Sequence, residues 1–257
     1  MSSPVLGFIG TGTISSALVR GFMRVGFAGR IVVSPRNAGK AAQLKKEFPS
    51  AVTVAESNQA VADAAEVVFV AVLPEAAEGV YTSLRFRKEQ TVINLVRGCG
   101  LDTLEKWTGG VKNLAHIIPM AFTAEVNGPI VLYPENAFVR ALLSPIGEIV
   151  AVDSPEKAAT LQQITGLGAS FDTMFRDVVL WGIQEGLSEE ASIAYCAAFF
   201  AALARQEAKG TLDRVRALAE EFTPGGLNWK GKTTIEAVDG FSLWTAALDA
   251  IKEHSLS

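Results

Sequence analysis

Short apolar runs alternate with helical stretches over the first 150 residues, and this alternation constrains the fold more than any other feature of the sequence. Residues 67–72 form the clearest run, which is rich in β-branched side chains and carries no polar residue. Such a run is typical of a strand that is buried on both faces. Strands that alternate with helices favour a parallel sheet with helices on both sides. We therefore predict an α/β fold with a doubly wound sheet in the N-terminal part of the chain.

The same patterning assigns the individual elements. Apolar residues spaced three and four apart predict helices, and compact β-branched runs predict strands. The predicted strands are residues 5–9, 31–33, 52–54, 67–72, 91–96, 115–118 and 130–132, and the predicted helices among them are residues 13–25, 38–48 and 58–64.

The character of the sequence changes after the predicted sheet. Ser154, Pro155 and Glu156 indicate a helix start, because a serine cap, a proline at the first helical position and an early acid all favour one. No convincing strand follows. We predict a boundary between an α/β domain, residues 1–152, and an all-helical domain, residues 153–257. The predicted helices of the second domain are residues 154–167, 171–185, 189–209 and 212–222.

One of these helices is apolar on every face. Residues 193–204 contain no charged side chain, and no face of the helix is polar. A helix that is apolar all round must be buried all round. We expect it to pack against a second copy of the chain in a homodimer. The alternative is a central helix in a monomeric bundle.

Composition excludes several classes of protein. The chain is 49% hydrophobic and 19% charged, with a net charge of −4, which argues against disorder and against nucleic-acid binding through bulk positive charge. Residues 193–204 are the longest apolar stretch and are too short to cross a membrane. The two histidines and two cysteines lie far apart, so we expect no metal site. We expect a cytoplasmic protein, because there is no signal-peptide pattern and no cysteine framework.

A glycine motif lies between the first predicted strand and the first predicted helix. Gly10, Gly12 and Ser15 have the spacing of a dinucleotide-binding loop. Gly10 makes the tight turn, and Gly12 lets the backbone approach a pyrophosphate. The helix start at Thr13 and Ile14 offers free N–H groups to the phosphates. This context predicts a dinucleotide cofactor on a sheet of the Rossmann type; a glycine-rich turn with no ligand is the alternative.

The residues after the second predicted strand favour NADP over NAD. NAD-binding folds place an acid there for the ribose 2′-hydroxyl, but residues 1–46 contain no acid and carry seven cations. We expect Ser34 to donate to the 2′-phosphate of NADPH and Arg36 to pair with it in bidentate geometry.

Other strand ends should line the same crevice, because ligands bind beyond the carboxyl ends of parallel strands. Val72, Leu73 and Pro74 follow the fourth predicted strand, which we expect Pro74 to end. Gly98 follows the next strand and is expected to let the backbone come close to the nicotinamide. An ordinary loop role is the alternative for each.

Several segments together resemble the pyrroline-5-carboxylate reductase family, and they occur in family order over most of the chain. The resemblance implies an NADP-binding Rossmann domain in residues 1–152 and a helical dimerisation and substrate domain in residues 153–257. It also implies NADPH-dependent reduction of a cyclic imine, with pyrroline-5-carboxylate giving proline. The segments are Gly7 to Gly12, Ser34 to Asn37, Ala71 to Glu75, Gly166 to Phe171 and Thr223 to Gly226.

The resemblance further implies a substrate site between the nicotinamide and the loop of Pro224, Gly225 and Gly226. Backbone N–H groups of this loop would hold the substrate carboxylate. Two threonines follow the glycines in the family, and here they are Leu227 and Asn228. Asn228 is the candidate for a hydrogen bond to the imine nitrogen.

Other departures leave alternatives open. Met120 replaces the asparagine of the family's M-P-N motif and is a candidate substrate contact, and Leu73 replaces a lysine. Thr233 and Thr234 allow an alignment with an insertion. One alternative function is a β-hydroxyacid dehydrogenase, which needs a helical-domain lysine as acid and base. Another is a non-catalytic NADP-binding sensor. The candidate lysines for the dehydrogenase are Lys209, Lys230 and Lys232.

Overall fold

The computed structural model describes residues 3–208 and 210–256. The chain divides into two compact units, Met1–Leu161 and Gln162–Ser257. The division falls inside the helix Pro155–Thr165, somewhat later than the boundary at 152 and 153 that the sequence suggests. The first turns of this helix, where Ala158 is buried, belong to the first unit.

One sheet forms the centre of the first unit. Its strands are short and mostly apolar, and four of them (β1, β2, β4 and β5) are buried along their whole length. In the described part of the chain the strands are β1 (Leu6–Ile9), β2 (Ile31–Val33), β3 (Val52–Val54), β4 (Val67–Val70), β5 (Thr91–Asn94), β6 (Asn113–Ile118), β7 (Pro129–Tyr133) and β8 (Glu148–Ala151).

The strand order is β3-β2-β1-β4-β5-β6-β7-β8. All neighbouring strands are parallel except β6 and β7, which are antiparallel. The chain runs outward from β1 to β3 and then returns to place β4 on the other side of β1. This reversal opens a crevice at the carboxyl ends of β1 and β4. The predicted fold class, a doubly wound sheet followed by helices, is confirmed.

Helices cover both faces of this sheet. Two of them begin with side-chain caps that the sequence supplies: Asn37 accepts from the Lys40 N–H, and Ser57 accepts from the Ala60 N–H. The helices of the first unit are α1 (Thr13–Arg24), α2 (Ala38–Glu47), α3 (Asn58–Ala64), α4 (Pro74–Ser83), α5 (Leu101–Trp107) and α6 (Ala137–Leu143), followed by α7 (Pro155–Thr165) across the division.

Two buried clusters fill the first unit, one on each face of the sheet. On one face Phe8 of β1 stacks on Phe69 of β4, with ring centroids 4.6 Å apart. On the other face Tyr81 of α4 is fully buried beside Trp107. These clusters fix the strands, and therefore fix where each strand ends in the crevice.

In its described residues, the second unit contains helices joined by loops and no strand. Helices α8 and α9 pack closely, because Gly182 leaves room for Ser192, whose hydroxyl donates to the Val179 carbonyl at 2.9 Å. No helix in the described residues is long and apolar enough to span a membrane. The helices are α8 (Gly168–Gln184), α9 (Glu189–Glu207), α10 (Leu212–Glu220), α11 (Leu227–Glu236) and α12 (Ser242–Leu256).

Helix α9 contains the apolar stretch that the sequence singles out. Of its residues, Ser192 and Cys196 are the buried ones, and Tyr195 is 70% exposed. The alternative of a central helix in a monomeric bundle is therefore wrong, because the other helices of the same chain leave most of α9 uncovered. Lys209, the last residue of the predicted helix, lies outside the described residues.

Candidate cofactor and substrate site

The glycine loop occupies the point where the strand order reverses. Gly10 has a φ of +91°, and a Cβ atom there would lie 2.2 Å from the Ala71 carbonyl oxygen. Only glycine can adopt this backbone and let β1 turn so close to the residue after β4. A Cβ on Gly12 would meet nothing within 4 Å. The open side of Gly12 leaves room for a pyrophosphate, so the loop fits a dinucleotide.

Helix α1 starts directly from this loop, with Gly12 as its N-cap and no side-chain cap. The first N–H groups of a helix have no partner within the helix. The first turn begins at Thr13 and Ile14, so their N–H groups have no partner within the helix. The Ser15 hydroxyl donates to the Gly10 carbonyl at 2.5 Å and holds the loop against the helix.

Ser34 differs from the sequence prediction. Its side chain is fully buried, and its hydroxyl accepts the Gly10 N–H at 2.9 Å. The Thr11 hydroxyl donates to the Ser34 carbonyl at 2.8 Å. The predicted contact between the Ser34 hydroxyl and a 2′-phosphate is corrected, because this hydroxyl lies beneath the glycine loop. Ser34 instead ties the end of β2 to the loop.

Two cations lie in the segment after Ser34. Arg36 is exposed, and no ion pair in the described residues includes it. Lys40 in the first turn of α2 donates from Nζ to the Thr13 hydroxyl at 2.7 Å. Lys40 therefore links the starts of α1 and α2 and adds a second cation beside Arg36. The absence of acids from residues 1–46 was the signal for this charge, but it did not single out Lys40.

The residues after β4 are arranged differently from the prediction. The strand ends at Val70, and Pro74 is the first residue of α4 and does not end the strand. Val72 is half-buried against the second core cluster, whereas Leu73 is exposed. Both residues still follow β4 at its carboxyl end.

A buried polar network at the end of β5 was not foreseen from the sequence. Asn94 is fully buried; its Oδ1 accepts from the Tyr81 hydroxyl at 2.9 Å and from the Val96 N–H at 3.1 Å. Its Nδ2 donates to the Val96 carbonyl at 2.8 Å and lies 2.9 Å from Nδ1 of His116. The side chain of Asn94 therefore forms hydrogen bonds with both the N–H and the carbonyl of Val96.

Burial sets the protonation of this network. It raises the pKa of Tyr81 well above its usual value. It also lowers the pKa of His116, although a backbone hydrogen bond with Asn94 acts the other way. A neutral imidazole can accept at Nδ1. At neutral pH, His116 therefore accepts the Asn94 amide and carries its proton on Nε2.

The loop after β5 and the segment after β6 complete this edge of the sheet. Gly98 is exposed with a φ of +80°, and a Cβ there would meet nothing within 4 Å. Met120 is half-buried and precedes a short 3₁₀ helix, Ala121–Glu125. Gly21 of α1 lets this helix approach, because a Cβ there would lie 2.5 Å from the Thr123 carbonyl oxygen. Both predicted residues thus lie at the carboxyl edge of the sheet.

In the second unit, the Pro224 loop leads directly into α11. Gly226 is the N-cap of α11, and its N–H donates to the Thr223 carbonyl at 2.9 Å. Gly225 has a φ of +79° with open space where a Cβ would lie. Leu227 is 93% exposed and Asn228 is exposed in the first turn. A glycine turn therefore presents the helix start without a side-chain cap.

The alternative alignment through the later threonines receives no support. Thr233 and Thr234 lie within α11, where their hydroxyls donate to the carbonyls of Trp229 at 2.9 Å and Lys230 at 2.8 Å. Both hydroxyls are therefore engaged by their own helix.

One candidate lysine for a hydroxyacid dehydrogenase, Lys232, is held by two carboxylates. The Lys232 ammonium lies 3.0 Å from both carboxylate oxygens of Glu220 and 2.9 Å from Glu236. The hydrogen bonds that Lys232 donates to these carboxylates, to Glu236 foremost, raise its pKa. A lysine held in this way is a poor proton donor near neutral pH. Lys209 lies outside the described residues. Over residues 3–208 and 210–256, no cluster of three metal-ligating side chains forms.

The strand order, the glycine loop and the uncapped helix start define a dinucleotide-binding oxidoreductase fold. Residues 5–98 match a family model described as NADP oxidoreductase, coenzyme F420-dependent. The chain is 31% identical over 205 residues to pyrroline-5-carboxylate reductase of Pseudomonas aeruginosa, a match that covers 75% of this chain and 74% of the relative. The chain belongs to the pyrroline-5-carboxylate reductase family.

Solved structures agree in fold. Pyrroline carboxylate reductase of Plasmodium falciparum, solved with NADP bound, gives a TM-score of 0.80 at 18% identity, covering 99% of this chain and 98% of the other. The Coxiella burnetii pyrroline-5-carboxylate reductase gives 0.80 at 22% identity, covering 99% and 97%. A reductive aminase from Aspergillus terreus is more distant, with a TM-score of 0.56 at 18% identity over 98% and 95%.

Proposed function

We propose that the protein is an NADPH-dependent reductase of a cyclic imine, with pyrroline-5-carboxylate as substrate and proline as product. The 31% identity to a named pyrroline-5-carboxylate reductase, over three quarters of the chain, carries this proposal. The open face of Gly12 at the β1/β4 crevice supports it, because a dinucleotide fits there.

The proposed cofactor is NADPH, which supplies a hydride to the imine carbon when it is bound. Gly10, Gly12 and the N–H groups of Thr13 and Ile14 would hold the pyrophosphate. Arg36 would pair with the 2′-phosphate, and Lys40 would add a second positive charge, because both lie at the end of β2. Val72, Leu73, Pro74 and Gly98 would border the rest of the dinucleotide.

The proposed substrate contacts come from the loop before α11. Backbone N–H groups after Pro224, Gly225 and Gly226 would hold the carboxylate. Asn228 would hydrogen-bond the imine nitrogen, and Met120 would line the apolar part of the site. The imine needs only positioning and a proton on nitrogen, so no histidine or lysine base is required.

We also propose that a second copy of the chain covers the helical unit. The exposed apolar residues of α9 support this, and so does a groove of about 940 Å³ between α8 and α12. Trp181 and Leu243 line this groove, and both are more than half exposed. Apolar patches of this kind mark interfaces. Residues 153–257 would then provide dimerisation as well as substrate contacts, while residues 1–152 bind the cofactor.

We place the protein in the cytoplasm, because Cys99 and Cys196 are free and a reducing compartment would keep them so. This placement and the homodimer are both open to direct measurement. Light scattering should give twice the monomer mass of 27.3 kDa. A single-chain mass at all concentrations would contradict the homodimer.

The deciding experiment follows NADPH oxidation over a small imine panel, with pyrroline-5-carboxylate first. We expect turnover with this substrate, and a lower hydride-transfer rate in Asn228→Ala at unchanged cofactor affinity. Binding of NADPH without turnover of any imine would instead indicate a sensor. Turnover of a hydroxy acid that is lost in Lys230→Ala would indicate a β-hydroxyacid dehydrogenase.

A further inference from the structure

Arg97 is a cation that the cofactor assignment does not use. It follows β5 directly and is exposed. Within the described residues, no hydrogen bond or ion pair involves its guanidinium group, whereas most arginines of this chain pair with carboxylates. The paired arginines are Arg20, Arg24, Arg87, Arg140, Arg176, Arg214 and Arg216.

The position of Arg97 is the second observation. Register pairs Val70 of β4 with Asn94 of β5, and Asn94 with His116 of β6, so these three strands end at the same edge. The residues just beyond the three ends are 71–74, 95–100 and 119–122, and Arg97 is their single charged side chain. Glu75 and Asp102 come later, as first-turn acids of α4 and α5, and neither pairs with Arg97.

The side chains around this edge are largely apolar. Leu73 and Phe122 are exposed, and Met120 is half-buried. In a doubly wound fold, the end of the cofactor opposite its adenosine lies over these later strands, while Arg36 marks the end of β2. An unpaired guanidinium in such surroundings favours a ligand that combines an apolar body with one anionic group.

The backbone that carries Arg97 is held firmly. Asn94 bonds to both the N–H and the carbonyl of Val96, the preceding residue, which is buried. Asn94 is itself fixed by Tyr81 and His116. Gly98 then turns the chain with its positive φ. Arg97 therefore projects from a fixed base, as a residue that orients a small ligand must.

We propose that Arg97 is a specificity-determining residue that pairs with the carboxylate of the imine, so that the enzyme selects carboxylated over neutral cyclic imines. The inference rests on the proposed reductase function and names the substrate class of that site. A guanidinium donates two parallel hydrogen bonds to a carboxylate. A carboxylate has about four acceptor sites, so a bidentate pair with Arg97 leaves acceptor sites free.

The test compares pyrroline-5-carboxylate with 1-pyrroline, the same ring without the carboxylate, at saturating NADPH. For Arg97→Ala, we expect kcat/KM for pyrroline-5-carboxylate to fall about 10- to 100-fold, the range for a lost hydrogen bond to a charged group. The value for 1-pyrroline should change less than about twofold. Arg97→Lys should recover part of the loss, because a lysine keeps the charge but not the bidentate geometry.

Arg85→Ala is the matched control. Arg85 is also exposed and outside every described ion pair, but it precedes β5 and so lies at the opposite edge of the sheet. It should leave the kcat/KM ratio of the two imines unchanged. Because Arg97 is exposed, its variants should fold, which NADPH binding will verify.

Two results would overturn the proposal. One is an equal loss for both imines in Arg97→Ala, and the other is a higher KM for NADPH with an unchanged imine ratio, since Arg97 would then serve the cofactor. If the wild-type enzyme reduces neither imine, the proposed function itself fails and the role of Arg97 falls with it. A loss of kcat/KM for the carboxylated imine alone confirms both the proposed function and the role of Arg97.

Discussion

The two units of this chain bury their apolar side chains to very different extents. In the sheet unit, Phe8 and Phe69 are fully buried and stacked. In the helical unit, Tyr195 and Phe199 also stack, with centroids 6.3 Å apart, yet both are largely exposed. Similar aromatic pairs therefore lie in a closed core in one unit and on an open surface in the other.

This contrast shows which apolar surfaces a single copy of the chain can bury alone. A parallel sheet covered on both faces closes its core with its own helices, whereas α8, α9 and α12 leave apolar area facing outward. Variants of equivalent residues in the two units should therefore respond differently to protein concentration and to ligand.

The largest effect is expected from Phe69→Ala. Loss of this fully buried ring should lower the free energy of unfolding by about 3–5 kcal/mol, independently of protein concentration. In Phe199→Ala, the loss should be smaller and should depend on concentration, because its ring would be covered by a second copy. Denaturant unfolding at several protein concentrations measures both. A concentration-independent effect of Phe199→Ala would erase the contrast between the units.

The next comparison is between Gly10 and Gly225, which both have a positive φ. Gly10→Ala places a Cβ 2.2 Å from the Ala71 carbonyl oxygen at a positive φ, so it should abolish NADPH binding. It should also lower the free energy of unfolding by more than the backbone strain alone. Gly225→Ala meets open space, so it should cost only the backbone strain of about 1–2 kcal/mol. Calorimetric NADPH titration and thermal unfolding distinguish them. Retained NADPH binding by Gly10→Ala would show that the crevice is not the cofactor site.

The glycine loop and the sheet could be predicted because their signals are local. Residues 31–33 and 52–54 form strands with the bounds that their β-branched runs predict. The spacing of Gly10 and Gly12 predicts the loop, because few backbones other than a tight strand-to-helix turn need this spacing. The strand β8 and the helices α4, α5, α6, α11 and α12 are not predicted by the sequence.

The polar contacts could not be predicted because they join distant parts of the chain. Ser34 has the right residue type for a phosphate contact, but only the path of β2 beneath the loop shows that its hydroxyl is used by Gly10. Asn94 and His116 lie 22 residues apart and meet only through strand register. Lys40 was counted among the cations, but its place beside Thr13 depends on how α1 and α2 pack.

Buried hydroxyls within the sheet unit give the third comparison. Ser34→Ala leaves the Gly10 N–H without its partner, so it should cost about 1–3 kcal/mol of stability. Ser16→Ala is the control, because the Ser16 hydroxyl is also buried but has no hydrogen-bond partner. We expect its removal to be neutral or stabilising. Chemical denaturation compares the two variants. An equal loss in the free energy of unfolding would contradict the structural role of Ser34.

Cofactor preference separates Ser34 from Arg36. Ser34→Ala should weaken NADPH and NADH equally, since it loosens the shared glycine loop. Arg36→Ala should weaken NADPH while leaving NADH almost unchanged, since only NADPH carries the 2′-phosphate. Fluorescence titration with both cofactors measures this. Selective loss of NADPH in Ser34→Ala would restore the direct contact that the buried hydroxyl argues against.

The smallest effect concerns the two histidines, one in each unit. Burial lowers the pKa of His116 below its ordinary value of 6.5, so the unfolded chain binds the proton more tightly than the folded one. Stability is then fully present above about pH 6.5 and is lost as the pH falls through that value, by no more than about 1.4 kcal/mol per pH unit for one proton.

Replacing His116 tests this proton. His116→Gln should reduce the slope of unfolding free energy against pH between about pH 6.5 and 5. His254→Gln, on the exposed face of α12 in the other unit, keeps His116 and should keep the slope. Denaturant midpoints across this pH range measure both variants. If His116→Gln keeps the slope, the Asn94 network does not hold a neutral imidazole.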